Sequence, residues 1–183
     1  NASSRSSSST SQMRCSWCDT EYAFHGGAWQ TLPEVLATVA GFGCPLVEVT
    51  GGEPLLQPAC LPLLSALCDA GYEVLLETGG GLDIAPVDVR VRRIVDIKCP
   101  ASGESASNRW ENLVNLRSTD EVKFVVADRA DYEWACGVIA ERGLDPLRTL
   151  LVETDAYVGR WTHDVVVRGG SRAMGGAPGG SPT

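Results

Sequence analysis

Histidine is almost absent from this sequence. His25 and His163 are the only two imidazoles in 183 residues. They stand too far apart to pair at metal-ligand or catalytic spacing, and both are read as non-catalytic. Basic charge is also in short supply: 15 Lys and Arg against 23 Asp and Glu leave a net charge of −8. That balance excludes a surface built to neutralise phosphates, so no nucleic-acid partner is expected. No apolar run approaches the roughly 18 residues a membrane span needs, so no membrane partner is expected either. The first residues lack the apolar stretch of a secretory signal, and the expected location is cytoplasmic.

What is present is ordinary for a globular domain, with 44% hydrophobic and 21% charged residues. The length suits one domain with its own core. Seven cysteines without a secretory signal read as thiols rather than disulfides. Cys60, Cys68 and Cys136 fall in helical patterns, where a free Cys acts as a small hydrophobe. Cys44, before Pro45, leads into a strand. Cys15 and Cys18 alone have ligand spacing.

Residues 1–12 are polar low-complexity sequence, expected to be disordered, and residues 153–183 end in a Gly/Pro/Ser-rich tail of the same kind. The organised part is residues 13–152. Thr31-Leu-Pro-Glu34 is a capping box opening a helix through VLATVAGF. LVEV, YEVLLET, RRIVDIK, EVKFVVAD and TLLVET read as strands. LQPACLPLLSALCDAG, NRWENLVNLR and RADYEWACGVIAERG read as helices, the first closing at Gly71 and the last at Gly143. Such alternation implies an α/β fold with a parallel sheet, open or closed into a partial barrel. Ligands collect at the carboxyl ends of the strands in sheets of this kind. TGGEP, ETGGG, DIK and VVAD fall there.

C-x-x-C by itself is compatible with a zinc half-site, a thioredoxin-type dithiol or an iron–sulfur site. No second C-x-x-C or H-x-x-x-H pair completes a zinc site, and a Ser-rich run rather than a strand precedes the motif. TGGEP alone is a tight turn or a place where backbone meets a ligand. Glu53 has the chemistry to accept from an ammonium group, and Glu77-Thr78-Gly79 repeats the pattern at the next strand end.

Taken together, CSWCDTEYAF, VTGGEPLLQ, LLETGG and VDIKCP resemble the radical S-adenosylmethionine superfamily, and within it the 7-carboxy-7-deazaguanine synthase family, over about Arg14 to Val152. The resemblance implies a partial (β/α) radical-SAM barrel and a [4Fe–4S] cluster on three thiolates, with S-adenosylmethionine on its open iron. Soft thiolates suit such clusters. Cys15 and Cys18 match the second and third cluster ligands. Trp17 and Asp19 match positions beside the cofactor, Gly52 and Glu53 its methionyl end, and Glu77, Asp96, Lys98 and Asp128 the rest of its site. Thr20 matches a Mg²⁺ ligand beside the substrate, and an oxygen donor suits that hard cation. Thr50 matches a substrate contact. The implied reaction is the ring contraction of 6-carboxy-5,6,7,8-tetrahydropterin to 7-carboxy-7-deazaguanine with loss of ammonia. A flavodoxin or ferredoxin is implied as electron donor, and a homodimer as the assembly.

Three departures accompany the resemblance. The position four residues before Cys15, where the family carries its first cluster cysteine, is Ser11, and a hydroxyl is a poor iron ligand. A family strand expected before the motif, with its substrate loop and arginine, finds no match. Neither do the closing strands expected after LLVE. These edges, with Asn rather than Met at position 1, read as a truncated or frame-shifted gene. The alternatives are another radical S-adenosylmethionine enzyme such as an activase, and an inactive remnant binding a nucleoside or a protein.

Overall fold

The computed structural model describes residues 15–16 and 28–153. Five strands form one sheet in chain order: β1 (Leu46–Val49), β2 (Glu73–Thr78), β3 (Arg92–Lys98), β4 (Glu121–Val126) and β5 (Thr149–Glu153). All four pairings are parallel, with Val49 opposite Leu76, Thr78 opposite Val95, and Lys98 opposite Val125. Helix α1 (Leu32–Gly41) precedes β1, α2 (Cys60–Asp69) joins β1 to β2, and α3 (Arg129–Arg142) joins β4 to β5. This is the α/β architecture expected from the alternation. The strand termini all point one way, so the turns that follow β1, β2, β3 and β4 meet at a single carboxyl rim.

Local chemistry sets the element ends. Glu34 reaches back to accept from the Thr31 N–H at 2.7 Å and from its hydroxyl at 2.8 Å, which fixes the entry to α1. The apolar run before α2 begins at Leu55, yet the α-helix starts only at Cys60. Gln57 is extended (ψ 122°) because Pro58 follows it, and a residue before proline is pushed out of helical space. Pro54–Leu56 therefore forms a separate 3₁₀ turn. Gly143, at φ 62°, ends α3 in the left-handed region.

Strand period 2 separates two unlike faces. Val74, Leu76, Val95, Ile97, Val122, Phe124 and Val126 are buried on one face. Val74 and Leu76 pack there with Cys60, Leu64 and Leu67 of α2, and Ile97, Val122, Phe124 and Val126 with Ala135 and Val138 of α3. Full burial of each large side chain contributes about 1.5–3 kcal/mol. The other face carries Glu48, Glu77, Asp96, Lys98 and Lys123. In a parallel sheet a charged face is a cost unless partners or ligands satisfy it.

Two sequence expectations are corrected. NRWENLVNLR forms a 3₁₀ helix, Trp110–Asn115, not an α-helix. The Asn112 side chain is drawn inward to the β2–β3 connection, where its amide donates to Gly80 O at 2.9 Å and Leu82 O at 2.7 Å. Cys136 is exposed on α3 rather than packed as a hydrophobe, whereas Cys60 is buried and Cys68 half-buried.

Candidate functional site at the carboxyl rim

The rim is built from turns whose backbone N–H groups are met by side-chain acceptors. After β1 the chain passes Thr50, Gly51 (φ 131°) and Gly52 to Glu53. Glu53 is only 8% exposed. Its Oε1 accepts from Leu55 N–H at 3.0 Å, and Oε2 accepts from Gly79 N–H at 2.8 Å. The Thr78 hydroxyl lies 2.9 Å from both carboxylate oxygens. One carboxylate thus ties the β1 turn to the end of β2. Behind it Gly80, at φ 72°, packs so closely that a Cβ there would stand 3.0 Å from Val95 Cγ1 and 3.4 Å from Asp96 O.

The charged face leads up to this rim. Lys98 Nζ donates to Asp96 Oδ2 at 2.9 Å. Lys123, opposite Asp96 in register, pairs with Glu77 at 2.5 Å and lies 3.9 Å from Asp96 Oδ2. Burial pushes the Lys98 ammonium down, but the Asp96 carboxylate and then the Cys15 side chain outweigh it, and its pKa is raised. Glu48 of β1 is also raised, first by desolvation and then by the charge of Glu77. Asp96 is 6% exposed, and its Oδ1 is the one buried side-chain polar atom left without a partner among the described residues. Beyond Lys98 the Asn108 amide takes the place of a neighbouring strand. Its oxygen accepts from Lys98 N–H at 2.8 Å, and its nitrogen donates to Lys98 O at 2.9 Å.

The Cys15–Ser16 segment comes to the same corner. Ser16 N–H donates to Ser102 O at 3.0 Å, and the Ser16 hydroxyl to Ala101 O at 3.1 Å. Both acceptors belong to the 3₁₀ turn Pro100–Ser102 that follows β3. Asp131, 1% exposed, holds that turn from below. Its Oδ1 accepts from Ala101 N–H at 3.0 Å and its Oδ2 from Ala127 N–H at 3.1 Å. Asp128 caps α3 by accepting from Asp131 N–H at 2.8 Å.

Comparison with known proteins shows which family the chain resembles. The 7-carboxy-7-deazaguanine synthase of Koribacter versatilis is 50% identical over 147 residues, covering 79% of this chain and 65% of that protein. The synthase of Chlorobaculum tepidum is 49% identical over 133 residues, covering 71% and 60%. The synthase of Clostridium acetobutylicum is 31% identical over 167 residues, covering 85% and 72%. The chain belongs to the 7-carboxy-7-deazaguanine synthase family. It spans 65% and 60% of the length of the first two relatives. In fold it is similar to the crystal structure of QueE from Escherichia coli, with a TM-score of 0.61 at 20% identity, covering 79% of this chain and 72% of that one. No protein-family profile matches the chain.

Against the 7-carboxy-7-deazaguanine synthase pattern, the rim brings together Thr50, Gly52, Glu53, Glu77, Asp96, Lys98, Cys15 and Asp128. Thr50, Gly52 and Asp128 are exposed, while Glu77, Lys98 and Cys15 are half-buried. Glu53 has its carboxylate turned inward onto Thr78 and Gly79. Trp17, Cys18, Asp19 and Thr20 lie outside the described residues, as do Ser11, His25 and His163. Sequence reading gave no role to Ser16, Lys123, Asn108, Asn112 or Asp131. Two acids three residues apart at the head of α3 were the available signal for Asp131. Nothing local marked the others, whose partners lie on other strands and turns.

The position of Cys15 fits one ligand of a family-type cluster: a thiol at the carboxyl rim beside a lysine. The other described cysteines do not join it. Cys44 precedes β1, at the opposite end of the strands, and Cys60 is enclosed in the core under α2. Cys99 is 1% exposed, and burial, then Asp131 and Asp96, push its thiol up to about 12. Among the described residues no three His, Cys, Asp or Glu side chains gather as a metal-ligand group. A second thiolate from Cys18 is what the family resemblance implies, and Cys18 lies outside the described residues.

Proposed function

We propose that this chain carries the core of a 7-carboxy-7-deazaguanine synthase, acting on 6-carboxy-5,6,7,8-tetrahydropterin with loss of ammonia. The observation that supports this most is the rim itself. The Thr50–Glu53 turn, Glu77, the Asp96–Lys98 strand end and Cys15 converge at one edge, in a chain half identical to a named synthase. A [4Fe–4S] cluster bound with S-adenosylmethionine would supply the 5′-deoxyadenosyl radical that starts the ring contraction. Cys15 and Cys18 would hold that cluster, and Thr20 would offer an oxygen to Mg²⁺.

The described residues have binding work to do. The unmet Asp96 Oδ1 suits a hydrogen-bond donor on a ligand, because a buried acceptor without one costs about 1–3 kcal/mol. Lys98 and Lys123 offset the Asp96 and Glu77 carboxylates beside it and hold them in place. Glu53 is a positioning residue in this reading: it fixes the glycine turn whose backbone lines the cofactor side. Gly52, Glu77 and Asp128 are proposed to contact the cofactor, and Thr50 the substrate. The same reading calls for a one-electron donor of flavodoxin or ferredoxin type, and a homodimer. It also places the chain in the cytoplasm; among the described residues no helix is long and apolar enough to cross a membrane.

The test is anaerobic reconstitution with iron and sulfide, EPR of the reduced chain with and without S-adenosylmethionine, and chromatography after incubation with the carboxypterin. A [4Fe–4S] signal that shifts with S-adenosylmethionine, followed by 7-carboxy-7-deazaguanine, is expected. A chain that binds neither iron nor S-adenosylmethionine sinks the proposal.

A further inference from the structure

The residue between Cys15 and Trp17 is a serine whose backbone and side chain are both engaged. Ser16 sits 85 positions before Ala101 in the chain, yet its hydroxyl donates to Ala101 O at 3.1 Å. Its N–H donates to Ser102 O at 3.0 Å. The turn that receives both bonds is itself fixed from several sides. Cys99 O accepts from the Ser102 hydroxyl at 2.6 Å, the Glu104 N–H donates to Ser102 Oγ at 3.1 Å, and Gly103 closes the turn at φ 78°. Asp131 grips Ala101 from the opposite side while holding Ala127 with its second oxygen. An acidic residue at the third position of a helix ordinarily reaches back to its own cap. Asp131 instead spans two rim turns, those after β3 and β4, and its 1% exposure means that water cannot substitute for either bond.

We propose that Ser16 and Asp131 are positioning residues for Cys15: Asp131 fixes the Pro100–Ser102 turn, and Ser16 fastens Cys15 to it. The proposal rests on the synthase reading for its purpose, but not for its geometry. A thiolate that must meet a rigid ligand set gains from being held before the group arrives, since ordering a segment at the moment of binding costs affinity. Lys98, at the foot of the same turn, fixes the charge beside Cys15. The segment is thereby seated by two hydrogen bonds to backbone and a buried carboxylate behind them, with no requirement on the side chain of any other cysteine.

Two readouts test this on the full chain. The first is the alkylation rate of Cys15 in the metal-free protein, followed by mass spectrometry of its peptide. The second is the rate at which a chelator strips iron from the reconstituted protein. Ser16→Ala is expected to raise both rates about two- to fivefold, the effect of one exposed hydrogen bond, with the thermal midpoint of the metal-free chain unchanged. Ser16→Thr keeps a hydroxyl and is expected to restore parental rates. Asp131→Asn replaces one acceptor by a donor and is expected to raise both rates. The double variant should be less than the product of the singles, because the two act through one turn. Equal Cys15 alkylation in the parent and Ser16→Ala overturns the proposal, whatever Asp131→Asn does to folding. If no variant takes up iron while Cys15 protection follows this order, the seating stands and the synthase reading fails. If iron is held and Cys15 rates do not move, the synthase reading stands and the seating fails.

Discussion

Glu53 and Thr78 lie 25 residues apart in sequence, yet the Thr78 hydroxyl stands 2.9 Å from both oxygens of the Glu53 carboxylate. This contact locks the glycine turn after β1 to the end of β2. The glutamate of TGGEP thus faces into the protein, where Leu55 N–H and Gly79 N–H complete its acceptor capacity. The turn's exposed surface is left to Thr50 and Gly52.

Replacing Glu53 by Gln puts an amide nitrogen where an acceptor is required, so a buried N–H loses its partner. A loss of about 1–3 kcal/mol is expected, read as a lower denaturation midpoint in guanidinium with an unchanged slope. Thr78→Val should cost less, about 1 kcal/mol, because the carboxylate keeps its two backbone donors. Equal effects from the two variants would contradict the assignment of Glu53 as the centre of the lock.

Gly80 tests how tightly the rim is closed. At φ 72°, with Val95 Cγ1 only 3.0 Å from an added Cβ, Gly80→Ala combines left-handed strain with a steric clash. A destabilisation of about 1–3 kcal/mol is expected. Gly137, in α3, has open space around its Cβ position, so Gly137→Ala should be neutral or stabilising. Calorimetry of both variants checks the pair.

The Arg93–Asp120 pair lies on the helix-covered face and is fully buried. Arg93 also donates to Ile84 O at 2.9 Å and Asn115 O at 2.5 Å, and Asp120 receives Arg93 N–H at 3.0 Å and Arg117 N–H at 2.7 Å. Asp120→Ala leaves a buried guanidinium without its counter-charge, and the expected cost is about 3–5 kcal/mol. Exposed pairs such as Arg129–Glu133 should contribute far less, because water screens them. Urea titration of Asp120→Ala and Glu133→Ala decides the contrast.

Cys99 predicts an alkaline limit. Its thiol rises from an ordinary value of 9.0 to about 12, first through burial and then through Asp131 and Asp96. Below pH 9 both folded and unfolded chains hold the proton, so the group adds no pH dependence. Between 9 and 12 only the unfolded chain releases it, and stability should fall by about 1.4 kcal/mol per pH unit from this group. Denaturation midpoints at pH 8 and pH 10 should converge less in the parent than in Cys99→Ala, where the slope is shallower. In the folded chain at pH 8, iodoacetamide should modify the exposed Cys44 and Cys136 long before Cys99.

Much of the fold was legible because its determinants are local. Strand β1 occupies the LVEV run expected for it, and Gly71 and Gly143 close their helices at positive φ. The Trp110–Asn115 segment was misread as an α-helix because its 3₁₀ form answers to the Gly80 and Leu82 carbonyls, which the segment's own residues do not announce. Cys136 was misread because its helical spacing did not say which side of α3 the sheet would cover.

The sequence by itself determined the alternation of strands and helices and the glycine turns at strand ends, since periodicity and capping act within a few residues, and its motifs carried the resemblance to a synthase family. Only the tertiary structure decided what the charged residues do there. It turned Glu53 inward onto Thr78, set Lys123 against Glu77, left Asp96 Oδ1 open, and sent Asp131 to hold the turn beneath Ser16. Those pairings join residues 25 to 85 positions apart. Parallel register sets Lys123 against Glu77, and the docking of turns at the shared rim makes the other contacts; no local pattern encodes either.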